Sequence, residues 1–172
     1  MRQDLARTRR TFVSQSTFAL LLVAVLAALA AYPLQVNATA RGLAIVANPS
    51  TPVDGLSLAE LRKIFLGDRQ FWNPSLRIVP LVLGPGARER ELALRSIYGM
   101  SESQFSQYWI AMIMRAEVTS APKTVSSPEM ASQLIAGIPG AIGFISADKV
   151  QPGLKILRIN GKFPGESGYP LQ

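Results

Sequence analysis

The chain has 172 residues, a net charge of +7 and neither histidine nor cysteine. Those absences exclude disulfide staples, a Ser-His hydrolase and the usual zinc-ligand sets. Arg2, Arg7, Arg9 and Arg10 against Asp4 account for three of the positive charges, and the rest are dispersed. No basic run with interleaved aromatics is present, so a nucleic-acid interface is not expected.

The four arginines precede Phe18 to Ala31, an uncharged aliphatic run of 14 residues, and Ala38-Thr39-Ala40 follows. This order of basic start, apolar stretch and small-residue site predicts an export signal over residues 1–40. The run is short of the roughly 20 residues a membrane span needs. Tyr32 to Val36 could lengthen it, so an uncleaved anchor is the alternative. Residues 41–172 then form one domain, large enough for an ordinary core.

Leu43 to Ala47 is a continuous apolar run ended by Asn48-Pro49, and reads as a buried strand. Asn48 to Gly55 has the composition of a loop. Ser57 and Glu60 form a capping box for a helix whose apolar face is Leu58, Leu61, Ile64 and Phe65, and Gly67 closes it. Arg77 to Leu83 predicts a second strand with Pro80 at an edge or bulge. Gly84-Pro85-Gly86 turns the chain into a helix from about Ala87 to Tyr98, and Gly99 ends that helix.

Ser101 caps a further helix from Glu102 to about Arg115. Phe105, Tyr108, Trp109, Met112 and Ile113 lie on or near one face; the aromatics are read as core, with Met112 and Met114 as gap-fillers. Thr119 to Ser127 is a polar connection, and Ser127-Pro128 opens a short helix. Ala141 to Ser146 is a buried strand, and Leu154 to Ile159 a half-exposed or edge strand. Asn160-Gly161 is a turn and the tail is irregular. Strands alternating with helices predict an α/β sandwich with a mixed or mainly parallel sheet.

Two features could carry function. A glycine turn feeding a helix N-terminus leaves backbone N–H groups unpaired at the positive end of the helix dipole, which suits an oxyanion. Gly84, Gly86, Ala87 and Arg88 would form that site, with Arg88 adding a guanidinium fork. Pro85 removes one donor, and Glu89 and Glu91 place negative charge in the first turn, so an ordinary strand-to-helix turn is the competing reading. Asn48 and Ser50 are chiefly turn residues, on a loop that could face a ligand. Glu89-Arg90-Glu91 reads as a solvated helix face rather than a catalytic pair. No acid, base or nucleophile set at a legible spacing suggests an enzyme, and no cofactor or metal motif is present.

Four short motifs occur in a telling order: Ile45-Val46-Ala47-Asn48-Pro49-Ser50; Leu58-x-x-Leu61-x-x-Ile64-Phe65-Leu66-Gly67 running on to Trp72; Pro139-Gly140-Ala141-Ile142-Gly143-Phe144; and Gly161-x-x-Pro164 with Gly168-Tyr169-Pro170-Leu171. From first to last they mark out a match that runs over nearly all of residues 43–171. In this order they resemble the second lobe of the phosphate-type (type II) periplasmic substrate-binding proteins. The resemblance implies a three-layer α/β sandwich and a single-lobed, exported, non-enzymatic binding module. It would be periplasmic, or anchored facing the periplasm, with a small oxyanion such as phosphate as ligand and an ABC permease or other envelope protein as partner. The family carries an arginine on the strand before a Ser-Gly-Thr turn. Here the corresponding stretch, about Leu81 to Arg88, has Val82 near the arginine's place and Gly84-Pro85-Gly86-Ala87 as a turn without a hydroxyl. The alternative function is an interaction or structural module of the cell envelope that kept the fold and lost the ligand.

Overall fold

The computed structural model describes residues 42–172; the expected export signal lies outside the described residues. Its centre is a five-stranded sheet in the order β6-β5-β7-β1-β8, where β1 is Leu43–Ala47, β5 Val79–Leu83, β6 Lys123–Val125, β7 Ala141–Ser146 and β8 Lys155–Ile156. β5 pairs parallel with β6 and with β7, whereas β1 pairs antiparallel with β7 and with β8. Four strands therefore run one way and β1 alone is reversed. The sheet is mixed and mainly parallel.

Alternate residues of β1, β5 and β7 feed two cores. Leu43, Ile45, Val82, Ile142 and Phe144 face one side, where they meet α1 (Leu58–Phe65) and α3 (Glu102–Met114). Ala44, Val46, Leu81, Leu83 and Ile145 face the other, against Ala131 and Ile135 of α4 (Pro128–Gly137). With both faces covered, the inner strands β1, β5 and β7 are apolar nearly throughout, which is why they read as hydrophobic runs, whereas the edge strands β6 and β8 each carry a lysine. Helix, sheet and helix make three layers.

α1 has the capping box expected of it: Ser57 accepts from the Glu60 N–H, and Glu60 accepts from the Ser57 N–H. Its buried face is Leu61, Ile64 and Phe65. The Phe65 ring lies 5.9 Å from Tyr98 and 5.8 Å from Phe144, at the junction of helix and sheet. α2 (Arg88–Ala93) continues as a π-helical turn, Leu94–Tyr98, which Gly99 ends in the left-handed region.

Several elements differ from expectation. The strand foreseen over 77–83 is divided: β4 (Leu76–Arg77) pairs with β3 (Phe71–Asn73), and β5 starts at Val79. Pro80 sits on an interior strand. The Val79 N–H bonds to Gly140 on the β7 side, so the Pro80 nitrogen faces the β6 side. There β6 begins only opposite Leu81, and no ladder bond is lost. The 154–159 strand is likewise split into β8 and β9 (Arg158–Ile159), with β9 pairing parallel to β2 (Gly55–Leu56). Met114 is 82% exposed rather than a core filler, while Met112 is buried as expected. The tail is irregular but docked: Leu43 N–H donates to Leu171 O, and the buried Tyr169 hydroxyl donates to Leu43 O at 2.8 Å.

Gly140 explains the glycine before β7. Its φ is +78°, and a Cβ there would lie 2.1 Å from the Arg77 carbonyl oxygen. The Trp72 indole N–H donates to the Gly140 carbonyl at 3.0 Å, fastening the β3–β4 hairpin to the same point.

Candidate functional site

The Gly84–Arg88 turn lies at the carboxyl end of β5, the central parallel strand, where open α/β sheets place their ligands. The Gly84 N–H is used by Val125 O (2.9 Å), and the Ala87 N–H closes back on Gly84 O (3.3 Å). Gly86 has φ +86°. Proline then glycine at the centre of this closed turn fits type II geometry, in which only the third residue must be left-handed. The chain emerges at Ala87 in extended geometry and enters α2.

Ala87 has no side chain to cap with. The first intrahelical bond into the turn is Glu91 N–H to Ala87 O. The N–H groups of Arg88, Glu89 and Arg90 are the orphan donors of the helix start. By contrast α1, α3 and α4 are each closed by a serine hydroxyl, from Ser57, Ser101 and Ser127. Arg88 is exposed, and its side chain makes no hydrogen bond or ion pair among the described residues. An acid stands near: the Asp148 carboxyl is held below its ordinary range chiefly by a hydrogen bond from Ser146, with a small contribution from Arg88.

Arg90 is the residue that sequence reading misplaced. It is buried, not part of a solvated face. Its Nε and Nη2 form a fork on Glu102 at 2.7 Å each, and Nη1 donates to Leu83 O at 2.8 Å. The guanidinium also lies 4.7 Å from the centre of the Phe105 ring. One side chain thus ties the end of β5, the start of α2 and the start of α3 together, and holds the turn in shape. The fork keeps the Glu102 carboxyl below its ordinary range. Helical spacing could have revealed this, since Arg90 falls on the face of Ala93, Leu94 and Ile97.

The predicted site residues separate into two groups. Gly84, Gly86, Ala87 and Arg88 are together. Asn48 and Ser50 lie at the opposite end of the sheet, because β1 is antiparallel and its last residue, Ala47, pairs with Ile142 at the start of β7. The four residue steps along β5 put the two ends roughly 13 Å apart. Asn48 is buried and internally bonded: its amide donates to Ile135 O and Ala136 O, and its oxygen accepts from the Ser50 N–H and hydroxyl. That locks the turn onto the end of α4 and occupies both polar atoms of the Asn48 amide. No group of three or more His, Cys, Asp or Glu that could hold a metal occurs among the described residues.

Known structures share this architecture. A protein from Clostridium perfringens, described as a phosphate ABC transporter substrate-binding protein with bound phosphate, superposes with a TM-score of 0.58 at 20% identity over 72% of this chain and 47% of its own. An ABC-type phosphate transport receptor from Vibrio cholerae gives 0.58 at 23% identity, over 72% and 48%. PstS from Borrelia burgdorferi gives 0.56 at 16%, over 72% and 49%. The chain has the fold of one lobe of a phosphate-type substrate-binding protein. It spans about half the length of the structures it matches. No family model and no curated protein matches the sequence. Among the described residues, no helix is long and apolar enough to cross a membrane.

Proposed function

We propose that residues 41–172 form a single-lobed, exported binding module of the phosphate-binding type. It holds a small oxyanion on the free N–H groups at the start of α2, Arg88 to Arg90, just after the Gly84–Ala87 turn, and works with an ABC transporter or another envelope partner. The observation that carries this reading is the uncapped start of α2, which lies at the carboxyl end of the central strand. Arg88 supplies the charge; Arg90 is committed to Glu102 and supplies the rigidity. The fold shared with phosphate-binding proteins agrees with an oxyanion as ligand.

A single lobe leaves the ligand half in water, where each charge-assisted contact is worth far less than in a closed cleft. The expected affinity is therefore weak, with a dissociation constant on the order of 1 mM. Calorimetric titration with phosphate and sulfate tests it. Saturable binding in that range supports the proposal, and heats no larger than dilution at about 20 mM, roughly twenty times that value, would reject it.

A second reading, a partner-binding module without ligand, is favoured by Ile110, Ile113 and Met114. All three are exposed on the outer side of α3. Recovery of a stoichiometric protein partner, together with no response to any oxyanion, selects this reading over the first.

A further inference from the structure

A cleft of about 290 Å³ opens at the far end of the sheet from the Gly84–Arg88 turn. It lies between the end of α1, the first residues of β5 and the segment 118–123 that leads into β6. Its walls include Ile64, Ile78, Trp109 and Val118, while Arg69, Arg77 and Lys123 stand around it and no carboxylate lines it.

Arg77 and Lys123 have no carboxylate partner among the described residues, and Arg69 has only a long ion pair with Glu60. Arg77 Nη2 reaches only neutral oxygens, those of Thr119 at 3.3 Å and Gln70 at 3.4 Å. Arg69 donates to the Phe71 carbonyl and comes no closer than 4.0 Å to Glu60, whose carboxylate serves the Ser57 cap. The Lys123 side chain makes no hydrogen bond or ion pair among the described residues. Asp68 and Glu117 flank the cleft without lining it, and Glu117 is paired with Arg115.

Three cations around an apolar hollow concentrate positive potential there. A bare inorganic ion would satisfy the charge but leave the apolar wall wet. A neutral hydrocarbon would do the reverse. The volume is at the small end of ligand pockets, where an apolar lining with a few convergent polar groups is usual. We propose that this cleft is a binding site for a small organic carboxylate, its apolar body against Ile64, Trp109 and Val118 and its carboxylate held by Arg77 and Lys123. The site is separate from the oxyanion turn and does not depend on it.

Benzoate is the probe, titrated into the full chain by calorimetry, with benzamide as its uncharged counterpart. Benzoate should saturate with a dissociation constant at or below about 1 mM, and benzamide should bind at least about tenfold more weakly. Arg77→Ala and Lys123→Ala, both at exposed positions, should each weaken benzoate by about tenfold, the size of one charge-assisted contact. Arg88→Ala should leave it unchanged, so loss of phosphate binding at the turn and failure of this site are told apart. No saturation by about 10 mM, where even weak sites fill, overturns the proposal. So does benzamide matching benzoate, inorganic phosphate displacing benzoate at equal concentration, or unchanged affinity in the Arg77→Ala, Lys123→Ala double variant.

Discussion

The starts of α1 and α2 are built from the same problem and solve it differently. Both leave backbone N–H groups pointing out of the first turn. At α1, Ser57 accepts from the Glu60 N–H, Glu60 from the Ser57 N–H and Asn160 from the Leu58 N–H, while Phe65 drives the helix into the sheet. At α2, Ala87 offers no cap, and the charged side chain that would ordinarily reach solvent, Arg90, is turned inward to brace the turn. A helix start that satisfies itself is scaffold; one held rigid from behind and left unsatisfied in front can receive an anion. The contrast can be tested from both sides.

The largest expected effect is on the closed side. Phe65→Ala removes a fully buried ring at the junction of helix and sheet, and should cost roughly 3–5 kcal/mol. Chemical denaturation would measure it; a loss below about 1 kcal/mol, the scale of surface changes, would contradict the packing described.

Next is the brace. Arg90→Ala should cost about 2–3 kcal/mol, the range of hydrogen bonds to a charged group. It should also abolish anion binding at the turn, as the support for the α2 start is lost. The same brace has a pH signature. Glu102 has a depressed carboxyl in the folded state, so its contribution to stability is complete above the ordinary glutamate value of 4.5 and is lost as pH falls through the folded value. The stability gap between the wild type and Glu102→Gln should therefore narrow on acidification. A gap that stays constant through that window would mean the fork is not formed in solution.

A smaller effect is expected from Arg88→Ala: folding stability unchanged within about 0.5 kcal/mol, and oxyanion affinity reduced about tenfold. Added salt should weaken the same binding, since the site is open to screening. The smallest and most pointed change supplies the missing cap. Ala87 already has the extended backbone of an N-cap residue (φ −71°, ψ 132°). Ala87→Asp should therefore stabilise the protein by about 0.5–1 kcal/mol, while closing the turn to anions by occupying its donors. No gain in melting temperature would show that the α2 donors are already satisfied.

Local features of the chain were legible because they depend on near neighbours. The Leu43–Ala47 strand, the Ser57/Glu60 box, the Ser101 cap, Gly99 as a helix end and the Gly84–Ala87 turn all follow from short-range chemistry. What escaped depends on topology. The reversed direction of β1 sends Asn48 and Ser50 to the far end of the sheet from Gly84 and cannot be read from β1's own residues. Pro80 looked like an edge residue because proline lacks a donor, yet it needed only a neighbour that starts one residue later. Arg90 was masked by its charge: flanked by Glu89 and Glu91 it looks solvated, and only its helical register with Ala93 and Ile97 reveals that it points inward.

The central claim is that the start of α2 is free to bind. Backbone amide resonances followed by NMR during a phosphate titration test it most directly. The account predicts saturable shifts confined to Gly86 through Arg90, at phosphate on the order of 1 mM, absent in Ala87→Asp and absent at the α1 start in both proteins. Shifts spread evenly over the surface, or equal shifts in wild type and Ala87→Asp, would contradict it and leave Gly84 to Arg88 as no more than the connection between a strand and a helix.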